Sequence, residues 1–369
     1  MFGLVLEGGG TKGAYHLGAY KALNELGIEI KAIVGASIGA VNGALFAQGD
    51  FSVAEEIWDD ISVTDIIKLP ENIPECENVL DVKNVRLFYK EMLQKKGLNT
   101  TPFEKLVDKY IDEEKLRGSS IDFGLATFNV TGVKEERLFA EDIPYGMLAD
   151  YILASACFPI FQPKKIKNSV FIDGGVTNNM PVDMLIKKGY RDIICIEIGG
   201  VGLSRKVSGA GHNIITVKTG TGSVKTLDFS HDSINEARRL GYFDTLLTFG
   251  KVWGTKYYFD SCEYSSAKMK YSDKLLYGLE LAAEYMGLDR LKVYRVEEMV
   301  KCVVESFRAM PECGSVIEVI KKSDKEKVTA LARAIINSQA EVLENATVAG
   351  ILGDLFDAAS SIAYFAERI

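Results

Sequence analysis

Gly35-Ala36-Ser37-Ile38-Gly39 is a G-x-S-x-G sequence lying between an apolar run and a helical pattern. A sharp strand-to-helix turn lifts a serine oxygen clear of the backbone, and it needs small flanking residues such as Gly35 and Gly39. The helix that follows aims its first amides at the serine, where developing negative charge is favoured. A capping serine in a tight turn is the plainer account of the same five letters.

Gly8-Gly9-Gly10-Thr11-Lys12-Gly13 opens the preceding helix. Without Cβ atoms, Gly8, Gly9 and Gly10 let backbone amides approach a ligand oxygen, as an oxyanion hole requires. The same letters fit G-x-G-x-x-G, so a nucleotide-phosphate cradle competes. A dinucleotide site wants an acidic residue at the end of the second strand, where this chain has Ser37. A Walker loop wants Lys then Ser or Thr after its last glycine, where this chain has Ala14. Asp173-Gly174-Gly175 ends another apolar run. If Asp173 closes a parallel strand, it lies on the same functional sheet edge as Ser37. A carboxylate beside a serine hydroxyl can take its proton directly, and burial would lift its pKa from about 3.9 towards a useful range. Taken alone, Asp-Gly is common in turns. His212 and His231 follow in triad order, but only two strands precede the serine, and both histidines sit in polar surroundings. His16 reads as a packing or solvent-exposed residue near the glycine loop.

The elements that must position these groups alternate. Phe2–Leu6 and Ile28–Val34 read as strands, Ala14–Leu26 and Ile38–Phe46 as helices. That order predicts an α/β fold with a parallel sheet covered on both faces. Residues 51–117 read as a helical side layer or cap. Ile121–Phe128 and Glu136–Phe139 read as a hairpin, and Val170–Asp173, Asp192–Ile198 and Ile214–Val217 as further strands. Helical patterns dominate beyond residue 228, including Leu275–Met286, Val296–Phe307 and Val328–Leu343, with Lys256–Phe259 the sole strand signal. We expect a catalytic domain over 1–250 and a helical region over 251–369. The tail, Ala346–Ile369, reads as packing on the body or on a second subunit.

Of the 369 residues 47% are hydrophobic, enough for a large core, and the net charge of −8 argues against nucleic acid as a partner. Six cysteines without a CxxC pair, three histidines and no acidic metal loop point to free thiols and no metal. The Met1–Glu7 start lacks signal-peptide order, and no run is apolar enough to span a membrane. We expect a cytoplasmic location, with peripheral membrane contact and self-association both open.

Together and in this order, the three motifs resemble the patatin-like phospholipase family. That family pairs a Gly-Gly-Gly-x-[Lys/Arg]-Gly loop with a G-x-S-x-G elbow and an Asp-Gly-[Gly/Ala] motif. Ala154-Ser155-Ala156-Cys157-Phe158-Pro159 and Asn178-Asn179-Met180-Pro181 are similar to the family's lesser signatures. The resemblance covers residues 2–220 and implies a three-layer α/β/α fold with a mainly parallel sheet. It implies Ser37 as nucleophile and Asp173 as base of a dyad, with oxyanion amides from Gly8, Gly9 and Gly10. Lys12 takes the family's basic position, and Gly13, Gly35, Gly39, Gly174 and Gly175 take its motif glycines. The implied activity is hydrolysis of fatty acyl esters, of phospholipase A or lysophospholipase type, through an acyl-enzyme and without cofactor or metal. An acyltransferase using the same dyad and a non-catalytic nucleotide-binding module are the rivals. Phe158, Ile160 and Phe161 are candidates for an acyl slot, and Lys164, Lys165 and Lys167 for a phosphate-facing run.

Overall fold

The computed structural model describes residues 1–69, 95–205, 209–219, 226–311, 323–337 and 353–369. Parts of the helical readings over 51–117 and 328–343, and Cys76 and Cys313, lie outside the described residues. Two compact units are present, Met1–Thr245 and Leu246–Ile369.

The first unit opens with β1 (Phe2–Leu6), a glycine turn and α1 (Ala14–Glu25), then β2 (Ile30–Ala36) and α2 (Ile38–Ala47). Helices α3 (Phe51–Asp60), α4 (Val63–Ile66), α5 (Thr101–Tyr110) and α6 (Glu113–Arg117) follow. Next come β3 (Asp122–Asn129), β4 (Lys134–Phe139), α7 (Leu148–Ser155), β5 (Lys164–Ile166) and β6 (Ser169–Asp173). The unit ends with α8 (Val182–Lys188), β7 (Asp192–Glu197), β8 (Asn213–Lys218) and α9 (His231–Thr248), which runs across the boundary.

Strands β3-β2-β1-β7-β8 form a parallel core. Strands β4, β5 and β6 add antiparallel pairs at one side. Side chains of the core alternate with the period of two that strand geometry imposes. Val5, Ala32, Val34, Ile193 and Cys195 pack under Val182 and Leu185 of α8. On the other face α2 lies close, with the Gly43 backbone against Ile33 and Phe123. Helices thus cover both faces, which explains why these strands are almost wholly apolar.

β6 does not follow the expectation of a parallel strand. It pairs antiparallel with β3, from Asn129↔Phe171 to Thr127↔Asp173. β2 pairs with the earlier part of β3, ending at Ala36↔Ala126. Since β4 pairs with β3 over Gly124–Asn129, β2 and β6 occupy the same edge of β3 in succession, tip to tip.

The second unit holds β9 (Val252–Trp253), β10 (Tyr258–Asp260), α10 (Ser261–Lys270), α11 (Asp273–Met286), β11 (Val293–Tyr294), α12 (Val296–Arg308), α13 (Asp324–Ile336) and α14 (Asp354–Ala366). The single strand signal is thereby corrected to a three-stranded sheet of order β11-β10-β9. Its flanking strands are two residues long, too short to show a pattern. Leu279, Met299, Val303, Leu331 and Ile362 share its core, so α14 packs within this unit. No helix among the described residues is long and apolar enough to cross a membrane.

Candidate active site

Ser37 joins β2 to α2 with φ 54° and ψ −131°. That is left-handed backbone, which costs a non-glycine residue of order 1–3 kcal/mol and persists only where its surroundings over-determine it. Here the surroundings are specific. The Ser37 N–H donates to Ser155 Oγ at 3.1 Å, and Ser155 Oγ donates to the Ala126 carbonyl at 2.7 Å. A Cβ on Gly35 would strike the Gly39 backbone, and one on Gly39 would strike the Leu6 carbonyl. The turn can close only with glycine at both places.

Asp173 arrives from the opposite direction. Since β6 ends where β2 ends on the shared edge of β3, the carboxylate stands ahead of Ser37. Its N–H donates to the Cys157 carbonyl at 2.8 Å, and Oδ1 accepts from the Gly175 N–H at 2.7 Å. A Cβ on Gly174 would run into the Ala126 carbonyl. Oδ2 is buried and lacks a hydrogen bond of good geometry. Burial pushes the Asp173 pKa up to about 6, against the opposing pull of the nearby Ser37 hydroxyl and the Gly175 amide. A carboxyl with that pKa is ionised at neutral pH yet basic enough to accept a proton.

The three glycines of the first loop are not equivalent. Gly8 N–H already donates to the Asn179 carbonyl at 3.2 Å, which corrects its place among the oxyanion donors. Among the described residues the Gly9 and Gly10 N–H groups have no such partner. Gly10 has φ 60°, conformation that glycine adopts freely. Ile38, the first residue of α2, adds one of the orphan amides of a helix N-terminus.

Glu7 and Asn179 brace this loop. Asn179 Nδ2 donates to the Gly8 carbonyl at 2.9 Å and to Glu7 Oε1 at 3.3 Å. Glu7 Oε2 accepts the Ile198 N–H at 2.6 Å. Burial raises the Glu7 pKa, and the amides of Ile198, Gly200 and Gly199 oppose it. Sequence reading did not single out Glu7. A lone carboxylate closing an apolar strand was its only signal.

Gly8, Gly9, Gly10, Ser37 and Asp173 line one cavity with Asn179, while Trp58, Ile61, Ile66, Phe103, Phe158 and Phe161 are among its apolar walls. Ile160 packs instead in the cluster of Val63 and Phe161 behind the wall. No Lys or Arg lines the cavity among the described residues. Lys12 Nζ turns away to the Gly199 carbonyl at 2.7 Å, and the Gly13 carbonyl accepts from Asn42 Nδ2 at 2.9 Å. Lys164 is paired with Glu104 and Asp150, each at 3.2 Å, so it is held by carboxylates rather than offered to a phosphate. His212 and His231 are absent from the lining. His16 is buried behind the loop, where desolvation holds its pKa down at about 3. No group of metal-ligating side chains occurs among the described residues.

A sequence model described as "Patatin-like phospholipase" matches residues 4–186. The lysophospholipase NTE1 of Cryptococcus neoformans is 26% identical over 206 residues, which are 54% of this chain and 11% of that protein. Human patatin-like phospholipase domain-containing protein 6 is 30% identical over 209 residues, 53% of this chain and 13% of that protein. The chain therefore spans only a small part of these relatives' length. The crystal structure of VipD from Legionella pneumophila aligns with 99% of this chain and 90% of its own, at TM-score 0.45 and 16% identity. Through its residues 4–186 the chain belongs to the patatin-like phospholipase family.

Proposed function

We propose that the chain hydrolyses carboxylic esters of lipids, of phospholipase A or lysophospholipase type, with Ser37 as nucleophile and Asp173 as its base. The observation that carries this reading is the strained Ser37 facing a buried, under-bonded carboxylate inside an apolar-walled cavity. Asp173 removes the Ser37 proton as Oγ adds to the ester carbonyl. The Gly9 and Gly10 amides receive the oxyanion. Collapse expels the alcohol or lysolipid, which takes the proton back from Asp173. Water then loses a proton to the same carboxylate and attacks the acyl-serine, and the fatty acid leaves as Asp173 returns that proton to Ser37 Oγ. Among the described residues no Lys or Arg lines the cavity, which favours an ester over a nucleotide phosphate. The names of the family and of its lysophospholipase members support the substrate class.

The test is fluorophosphonate labelling together with fatty-acid release from a lysophospholipid and a short p-nitrophenyl ester. We expect Ser37→Ala to lose labelling and release altogether. Asp173→Asn should lower kcat by roughly 10²- to 10⁴-fold, the usual range for a general base. Labelling that survives Ser37→Ala would sink the assignment. Acyl transfer to added alcohol exceeding release to water would favour the acyltransferase rival.

A further inference from the structure

A second cavity adjoins the first and shares five of its lining residues: Ile38, Trp58, Ile61, Ile66 and Phe103. Its additional walls come from one face each of three helices. Val41, Asn42 and Leu45 continue the Ile38 face of α2; Ile57 belongs to α3; Leu106, Val107 and Tyr110 continue the Phe103 face of α5. These are the i, i+3, i+4 and i+7 positions that share one side of a helix. The cavity therefore runs along α2 away from Ser37, and from Ile38 to Leu45 it extends roughly 10 Å at 1.5 Å per residue.

Its chemistry is that of a hydrocarbon slot. Among the described residues Asn42 is the one carboxamide in the lining, and its hydrogen bonds are made internally. Asn42 Oδ1 accepts the Trp58 indole N–H at 3.0 Å, while Nδ2 donates to the Gly13 carbonyl and to His16 Nδ1 at 2.9 and 3.3 Å. The Tyr110 hydroxyl accepts from Lys109 Nζ at 2.8 Å. A cavity with no unsatisfied polar wall stays dry and takes apolar groups. The same Asn42 bond fixes the Trp58 indole, and of the other four shared residues the buried Phe103 carries the largest side chain, the one whose truncation opens most space.

We infer that Phe103, set beside the pinned Trp58, is the end wall of the acyl slot, and that the second cavity is a latent extension of it along α2. The inference rests on the ester-hydrolase reading and deepens it by assigning the residue that limits acyl length. An acyl chain esterified to Ser37 starts beside Ile38 and points at this wall. Removing the wall joins the two spaces, and each methylene newly taken up is worth roughly fourfold in kcat/KM.

The experiment measures kcat/KM for straight-chain p-nitrophenyl esters from butanoate to hexadecanoate, below their aggregation limits. The proteins are wild type, Phe103→Ala, and Phe103→Ala with Leu106→Phe, which refills the second cavity. We expect Phe103→Ala to raise the long-to-short ratio by at least about 10-fold, and Leu106→Phe to return it towards the wild-type value. Phe103→Leu carries the same comparison if the alanine variant does not fold. An unchanged ratio, or a gain that survives Leu106→Phe, overturns the inference while Ser37-dependent release leaves the hydrolase reading standing. Absence of Ser37-dependent release at every chain length overturns both.

Discussion

Burial of Asp173 is costly to the fold and suits the base role proposed above. Its carboxyl pKa of about 6 lies above the ordinary value because burial disfavours the charged form. Between about pH 4 and pH 6 the folded protein keeps a proton that the unfolded chain has lost, so stability falls as pH rises through that window. Above it the penalty is complete, about 3 kcal/mol for a shift of roughly two units. Asp173→Asn should therefore be more stable than wild type near pH 8 in denaturant melts, with the advantage gone near pH 4. A less stable asparagine variant at pH 8 would show that the carboxylate is not under this strain. In the proposed mechanism the same titration sets activity: kcat/KM should rise with pH and reach half its plateau near pH 6, since there only the ionised carboxylate accepts the Ser37 proton. Ser37 and the motif glycines were legible because each motif is a short contiguous run of residue types, even though the contacts that hold the turn reach Leu6, Ala126 and Ser155. The commitment of Gly8 to Asn179 was not, since Asn179 lies far along the chain.

Among elements, the crossing of α1 and α9 within the first unit is set by two glycines. A Cβ on Gly18 would strike the Arg238 carbonyl, and one on Gly241 would strike the Tyr15 carbonyl. Helix propensity alone predicts that Gly→Ala stabilises by about 1 kcal/mol. Overpacking against backbone outweighs this, at about 1–3 kcal/mol or more. Gly18→Ala and Gly241→Ala should each lower Tm, and a rise in either would mean that the helices separate freely. The elements that bear Ser37 were readable from periodicity and glycine stops. The direction of β6 was not, because Val170-Phe171-Ile172 has the same apolar composition whichever way it pairs.

At the scale of the molecule, the contact map divides at Thr245 and Leu246. We propose that residues 1–250 carry the chemistry, with 251–369 as a separate helical region. Glu280 offers a way to perturb the second unit alone. It is fully buried in α11, and its Oε2 accepts the N–H groups of Thr255 and Tyr257 at 2.7 and 2.9 Å, and that of Lys256. Burial raises its pKa despite those three amides. Glu280→Leu orphans all three donors, which should destabilise this unit by about 3 kcal/mol or more. Calorimetry should show the loss, while fluorophosphonate labelling of Ser37 at room temperature persists. Loss of labelling in a folded Glu280→Leu protein would overturn the separation.

The sequence alone determined the turn at Ser37, the glycine loop, the Asp-Gly-Gly turn and their order, and with them the family. Each is a short contiguous stretch recognisable by its own residue types. Tertiary structure alone decided that β6 enters antiparallel on the edge that β2 leaves, and so brings Asp173 to Ser37. It also turned Lys12 out of the cavity, used the Gly8 amide internally and set Phe103 between two apolar spaces. Those outcomes depend on partners distant in the chain, and neither the composition nor the periodicity of a segment records which partner it will meet.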